Sequence, residues 1–322
     1  MRILVFFLLI LFSACSSIAP GHFSLSTNNS KNKLIIGDTL FFSLTNNKDH
    51  SLKDLYFSLN GNTLNKNFAI IESLGNHRLV ANFKVGDKPF SILEKFTVFA
   101  DKSPEIYTYK LINSYPHDKN AYTQGLEFYQ GKLYESTGQY GLSSIRKTEF
   151  TSGKIIQKLP LDASYFGEGL TFINDEAVQL TWKENIGFIY DPTNFKLLRS
   201  FNYNKSKEGW GLCNDGTLVY KTDGTEKLWK LDPITFAENG YVDIVTHNKL
   251  ISKVNELEYA NGLIYANTYQ FNKEVVLIIK PATGQVVGVV DFSEGCAVQL
   301  RLTVKVCWMS RSAPPVGRKA PV

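Results

Sequence analysis

The chain has 322 residues, 43% of them hydrophobic and 13% aromatic, which supplies a buried core and argues against disorder over most of its length. Its formal charge of +5 belongs to the last stretch, where Arg301, Lys305, Arg311, Arg318 and Lys319 occur without an acid; the residues before them balance at 30 basic against 30 acidic. A neutral body excludes a basic nucleic-acid-binding face. Four scattered cysteines and five scattered histidines give neither a disulfide framework nor metal-ligand spacing, so no metal or cofactor is expected.

In chain order, Met1-Arg2 precedes the apolar run Ile3 to Phe12 and then Ser13-Ala14-Cys15. About ten apolar residues are too few to span a bilayer but suit the h-region of an export signal. The small residues before Cys15 resemble the lipobox of bacterial lipoproteins. That resemblance implies a signal peptide over residues 1–15, lipidation at Cys15, and a lipid-anchored protein of the bacterial cell envelope. An ordinary signal peptide with an incidental Cys15 is the alternative. Residues 16–32, rich in Ser, Asn and Pro, read as a tether.

Short alternating segments follow over residues 33–102: Lys33–Ile36, Thr39–Leu44, Leu55–Leu59, Phe68–Glu72, His77–Val85 and Lys95–Phe99. Turn chemistry such as Asn60-Gly61-Asn62 separates them, and the pattern predicts a small immunoglobulin-like β-sandwich. It carries no chemical cluster and reads as a spacer or docking domain.

From residue 106 to 293 the texture becomes repetitive. Gln124-Gly125-Leu126, Glu168-Gly169-Leu170, Trp210-Gly211-Leu212 and Asn255-Glu256-Leu257 align with leucine steps of 44, 42 and 45 residues. Each is followed by a strand-like stretch and later by a tight turn, such as Asp191-Pro192-Thr193 or Asp232-Pro233-Ile234. Units of this length cannot bury their apolar faces singly, so the pattern predicts radially stacked blades of an all-β propeller. Equivalent positions then meet around the channel, which brings Gln124, Glu168, Trp210 and Asn255 together. A second aligned position, about fourteen residues later, holds Trp182 and Tyr269. Polar groups, a carboxylate and aromatics at a channel mouth suit a small polar ligand.

These stretches resemble the glutaminyl-peptide cyclotransferases of plants and bacteria, which are five-bladed propellers. The resemblance is carried by Tyr115-Pro116-His117-Asp118, Ala121 to Leu126, Tyr134-Glu135-Ser136-Thr137-Gly138, Tyr165 to Gly169, Gln179 to Lys183, Glu208-Gly209-Trp210-Gly211-Leu212 and Asn255 to Tyr259. It implies conversion of the N-terminal glutamine of a peptide to pyroglutamate with loss of ammonia, by a monomer that needs no metal. Glu168 is the implied proton-transferring acid and base. Trp182 and Trp210 are the implied pocket walls, with Tyr269 where the family usually has tryptophan. Gln124 and Asn255 are the implied hydrogen-bonding partners of the substrate. Read without the resemblance, Glu168 between two glycines is a solvated turn carboxylate, and the tryptophans are core aromatics. Gln124 and Asn255 then satisfy backbone groups in turns. A non-catalytic peptide- or protein-binding propeller is the rival function.

After Ser293 the resemblance stops, and residues 294–322 bring two cysteines, no acid after Glu294 and three prolines. The abrupt change reads as a shifted frame near Glu294. It predicts an incomplete fifth blade, a strand Ile106–Asn113 lacking most of its partner blade, and a chain of lowered stability and activity.

Overall fold

The computed structural model describes residues 18–29, 33–269 and 275–292. Cys15, the export signal and the divergent tail lie outside them. Apart from one short 3-10 turn, Pro20–His22, every regular element among the described residues is a strand, so the fold is all-β. The chain divides into two compact units. One takes in Thr39–Ile70 and His77–Phe96 with the described residues before Lys31; the other takes in Asn32–Asp38, Ile71–Asn76 and the chain from Thr97 onward.

In the first region, Thr39–Asn46 pairs with Phe23–Thr27 on one side and Phe68–Ile70 on the other. The supposed tether of residues 16–32 therefore contains a strand, which is a correction. Its polar spelling, Phe-Ser-Leu-Ser-Thr, hides an alternation in which Phe23 is buried against Phe83 and Phe90. The second sheet has the order Leu34–Ile35, Lys88–Phe99, Gly75–Val85, Leu52–Leu59, Asn62–Leu64. Its long strand buries Leu79, Ala81, Phe83 and Val85, every second residue, as one covered face requires.

Among its described residues the second unit contains four sheets in succession, each built on a four-stranded antiparallel meander. The first is Thr123–Tyr129, Lys132–Thr137, Ser144–Glu149 and Lys154–Pro160; the second is Gly167–Ile173, Glu176–Thr181, Ile186–Tyr190 and Leu197–Asn202. The third is Leu212–Asn214, Val219–Lys221, Lys227–Leu231 and Glu238–Asp243. The fourth is Val254–Ala260, Leu263–Thr268, Val275–Ile279 and Val286–Asp291. The four aligned segments fall at or just before the four leading strands. A further strand, Glu105–Tyr107, pairs in parallel with Val286–Asp291. The expected strand Ile106–Asn113 is thus shorter than its sequence suggested, and it has a partner on the open edge of the fourth sheet.

The turns repeat as faithfully as the strands. Backbone N–H groups of Gly153, Phe195, Phe236 and Gly284 donate to the carbonyls of Glu149, Asp191, Asp232 and Lys280, four residues back. All four residues are left-handed, with φ between 57° and 76°. Two are phenylalanines, an uncommon choice that their near-complete burial holds in place.

The core lies in layers between successive sheets. Tyr134, Ile145, Leu170 and Phe188 fill the layer between the first and second. Val178, Leu180, Leu212, Val219 and Phe236 fill the next; Cys213, Leu228, Leu257 and Ile264 fill the third. Since the second sheet is covered on both faces, all seven residues of Gly167–Ile173 are buried.

The leading strands of successive sheets lie side by side, and a glycine column permits it. A Cβ on Gly125 would stand 2.5 Å from the Leu170 nitrogen, and one on Gly169 would stand 2.5 Å from the Trp210 carbonyl oxygen. A Cβ on Gly211 would overlap the Asn255 carbonyl oxygen. Backbone atoms cannot swing aside as a side chain can. We predict that Gly211→Ala destabilises the protein by about 3 kcal/mol or more, at or above the upper end of ordinary overpacking. Gly240→Ala, where a Cβ meets nothing within 4 Å, should cost less than about 1 kcal/mol. Equal denaturation midpoints for the two variants would show that the glycine column is not what sets the spacing.

Candidate active site

The aligned residues stand at irregularities that only strand pairing reveals. In the first sheet Thr123 faces Thr137 and Gly125 faces Ser136, leaving Gln124 in a bulge. In the second, Gly167 faces Thr181 and Leu170 faces Gln179, so Glu168 and Gly169 share the break. In the fourth, Asn255 and Glu256 lie between paired Val254 and Leu257. A bulge turns a side chain out of the normal alternation, which is why bulges recur beside active sites. Here three bulges re-aim the same aligned position.

Local chemistry fixes each strand end. Gln124 follows Thr123, whose hydroxyl donates to buried Glu135 at 2.5 Å. Glu135 also accepts from His117 at 2.9 Å, and Arg146 reaches Asp118 at 2.9 Å, which ties the irregular segment before Gln124 to the first sheet. The Gly169 N–H donates to the Trp210 carbonyl at 2.8 Å. Thr222 Oγ1 donates to the Asn255 carbonyl at 2.8 Å while accepting from the Gly211 N–H at 2.8 Å. Gln124, Glu168, Trp210 and Asn255 are thereby held on adjoining backbones.

Glu168 is 6% exposed, and among the described residues its carboxylate receives no hydrogen bond. Burial pushes its carboxyl well above the usual carboxylate range, and the charges of Glu208 and Glu184 push it further. Burial and that upward shift set it apart from the solvated turn carboxylate that its flanking glycines suggested.

The aromatic walls are braced by a residue that the sequence motifs contain but did not single out. One carboxylate oxygen of Glu208 accepts the indole N–H of Trp182 at 2.8 Å and that of Trp210 at 2.9 Å. Glu208 stands on a loop held by a fully buried ion pair, Lys221 with Glu238 at 2.8 Å. Glu238 also accepts the backbone N–H groups of Lys205 at 2.7 Å and Ser206 at 2.8 Å. Phe166 packs edge-on to Trp182 with ring centres 5.5 Å apart, and Tyr269 packs edge-on to Trp210 at 5.8 Å. Lys183 covers the Trp182 ring at 3.7 Å. The Tyr140 hydroxyl donates to Glu184 at 2.8 Å, and that bond raises its pKa to about 12. The side-chain amides of Gln124 and Asn255 make no hydrogen bond among the described residues, and both are half-buried.

The aligned positions and their neighbours thus bring together a buried carboxyl of raised pKa, two braced indoles and two uncommitted amides. A sequence profile described as glutamine cyclotransferase matches residues 89–302. The chain belongs to the glutamine cyclotransferase family. A glutaminyl-peptide cyclotransferase of Arabidopsis thaliana is 37% identical over 190 residues, covering 58% of this chain and 58% of that protein. The chain thus spans less than two thirds of the length of this curated relative. The crystal structure of Myxococcus xanthus glutaminyl cyclase superposes with a TM-score of 0.54 at 37% identity, over 58% of this chain and 78% of that one.

The raised pKa of Glu168 has a sign that stability measurements can read in this family member. A folded-state pKa above the unfolded value, about 4.3 for glutamate, gives stability that is complete below the unfolded value and is lost as pH rises through the folded one. Glu168→Gln cannot ionise and avoids that loss. Unfolding midpoints of the two proteins should match near pH 4 and diverge in favour of Glu168→Gln as pH rises; parallel curves would mean that Glu168 is ionised in the native state.

Proposed function

We propose that the protein is a glutaminyl-peptide cyclotransferase acting on peptides and proteins with N-terminal glutamine. The observation that carries the proposal is the buried carboxyl of Glu168, its pKa pushed upward, beside the braced pair Trp182 and Trp210 in a chain of this family. The substrate's α-amine attacks the carbonyl carbon of its own side-chain amide, forming the lactam C–N bond. The bond to the amide NH₂ breaks and ammonia leaves. Glu168 gives its proton to the departing nitrogen, and the carboxylate so formed takes the proton that the attacking amine must shed. The acid is regenerated within one turnover. Gln124 and Asn255 hydrogen-bond the amine and amide groups, while the indoles and Tyr269 exclude water and hold the side chain in its cyclising conformer.

The same reading extends to the architecture. Four sequential meanders whose leading strands adjoin suit four blades of a five-bladed propeller, with the fifth incomplete. The two sheets over residues 33–102 suit an immunoglobulin-like sandwich. We place the protein as a monomer in the bacterial cell envelope, anchored through Cys15 as the new N-terminus after cleavage before it, on the lipobox-like sequence alone.

Two variants test the mechanism. With a Gln-initiated peptide amide, Glu168→Gln should lower kcat for ammonia release by roughly 10²- to 10⁴-fold, the span typical of a general acid–base group. An unchanged rate would remove Glu168 from the chemistry. Glu208→Ala strands two indole N–H groups and also removes a charge that raises the Glu168 pKa, so it should raise KM several-fold and disturb the tryptophan fluorescence. Native KM in that variant would mean that the indoles hold position without their shared acceptor.

A further inference from the structure

Beside the candidate active site lies a cleft of about 530 Å³ in the third sheet and its loops. Trp210 and Glu208 belong to both, so the cleft continues the site outward. Gly224 forms part of its floor, where a Cβ would meet the Trp210 ring at 2.6 Å. Lys205, Lys207, Lys227 and Lys253 line it, against the carboxylates of Glu208 and Asp223.

Neither carboxylate forms an ion pair with a lysine, and four lysines against two carboxylates leave the lining a net charge of +2. Glu208 is taken by the two indole N–H groups. Asp223 accepts from the Trp229 indole at 2.7 Å and from the Thr225 hydroxyl at 2.5 Å. Among the described residues none of the four lysines forms an ion pair. Lys227 lies over the rings of Trp229 and Tyr241, at 5.2 and 4.8 Å, a contact that keeps its charge. The cleft therefore presents an excess of positive charge to whatever follows the N-terminal residue in the site.

We propose that this cleft is a downstream subsite for carboxylate groups, and that the protein prefers peptides bearing an anion just after the N-terminal glutamine. The proposal rests on the cyclotransferase reading. Its volume lies within the range of small-ligand sites, room for a residue or two beyond the glutamine. Each exposed ion pair contributes modestly, and several together give a preference of about tenfold. The preference shrinks as salt shortens the screening length from about 10 Å at 0.1 M toward about 3 Å at 1 M.

The carboxylate can come from an acidic side chain or from the free C-terminus of a short peptide. Three substrates separate these sources: Gln-Asp-amide, Gln-Ala with a free carboxylate, and Gln-Ala-amide with none. We expect at least one carboxylate-bearing peptide to exceed Gln-Ala-amide about tenfold in kcat/KM, and Lys205→Gln/Lys207→Gln/Lys253→Gln together to remove the advantage. Which peptide carries the advantage identifies the source. Equal values for all three peptides, or an advantage that survives the triple substitution, overturn the subsite. If none of the three is turned over, the cyclotransferase reading fails instead. The cleft is then judged by titrating pyroglutamyl-Asp-amide and pyroglutamyl-Ala-amide against tryptophan fluorescence. Tighter binding of the acidic peptide supports the subsite, and equal affinities overturn it.

Discussion

The contact on which the site depends is a backbone approach that only glycine allows. At Gly125, Gly169 and Gly211 the leading strand of one sheet comes so near the next that a single methyl group would strike main-chain atoms. Such closeness sets the distance between neighbouring aligned residues. Gln124, Glu168 and Trp210 each precede one of these glycines, so the column that binds the strands together also converges their side chains. Structure and site share one constraint. A substitution that separates the strands would separate the chemistry.

Around that column, burial and hydrogen bonding give the groups their properties. The pKa of Glu168 is pushed upward because the second sheet is covered on both faces and no donor among the described residues compensates a charge there. The indoles owe their position to a chain of polar contacts that begins elsewhere. Lys221 and Glu238 pair inside the third sheet, Glu238 holds the loop at Lys205 and Ser206, and that loop delivers Glu208 to both tryptophans. Losing one partner of a buried pair costs about 3–5 kcal/mol, so the bracing of the indoles is coupled to the stability of their sheet. The negative Glu208 that orients the walls also helps keep Glu168 protonated. One carboxylate serves geometry and electrostatics together.

The repeat was legible because three units carry a glycine–leucine step and the fourth keeps the leucine after Glu256, each followed by turn residues at a steady interval. Glu168, Trp182 and Trp210 were legible for the same reason. The bulges were not, since a bulge is defined by the partner strand and leaves no mark within its own strand. Glu208 stood in plain sight two residues before Trp210, yet its role requires Trp182, brought from another sheet, to share its oxygen. The strand Phe23–Thr27 was missed because serine and threonine fill its outward positions, so composition spoke for a tether while alternation spoke for a sheet. Cross-strand relations carry what the linear pattern leaves out.

The fourth aligned position shows how far the constraint reaches. Asn255 is followed by Glu256 where the other sheets have glycine, and Glu256 is 5% exposed with its N–H bonded to Asn267 at 2.8 Å. The glycine column therefore ends at the fourth leading strand. Beyond it, the far face of the fourth sheet is covered by Tyr107, Tyr109 and Phe292, with Tyr109 and Phe292 rings 4.5 Å apart. The two halves of the site consequently depend on different packing. The protonation of Glu168 is set by the first three sheets, which flank it and supply Glu184 and Glu208. The placing of Asn255 depends on the fourth sheet, the last of the interlocked series among the described residues. A disturbance confined to that sheet would shift Asn255 while leaving the burial of Glu168 in place, so in the proposed mechanism binding and proton transfer are separable by structure.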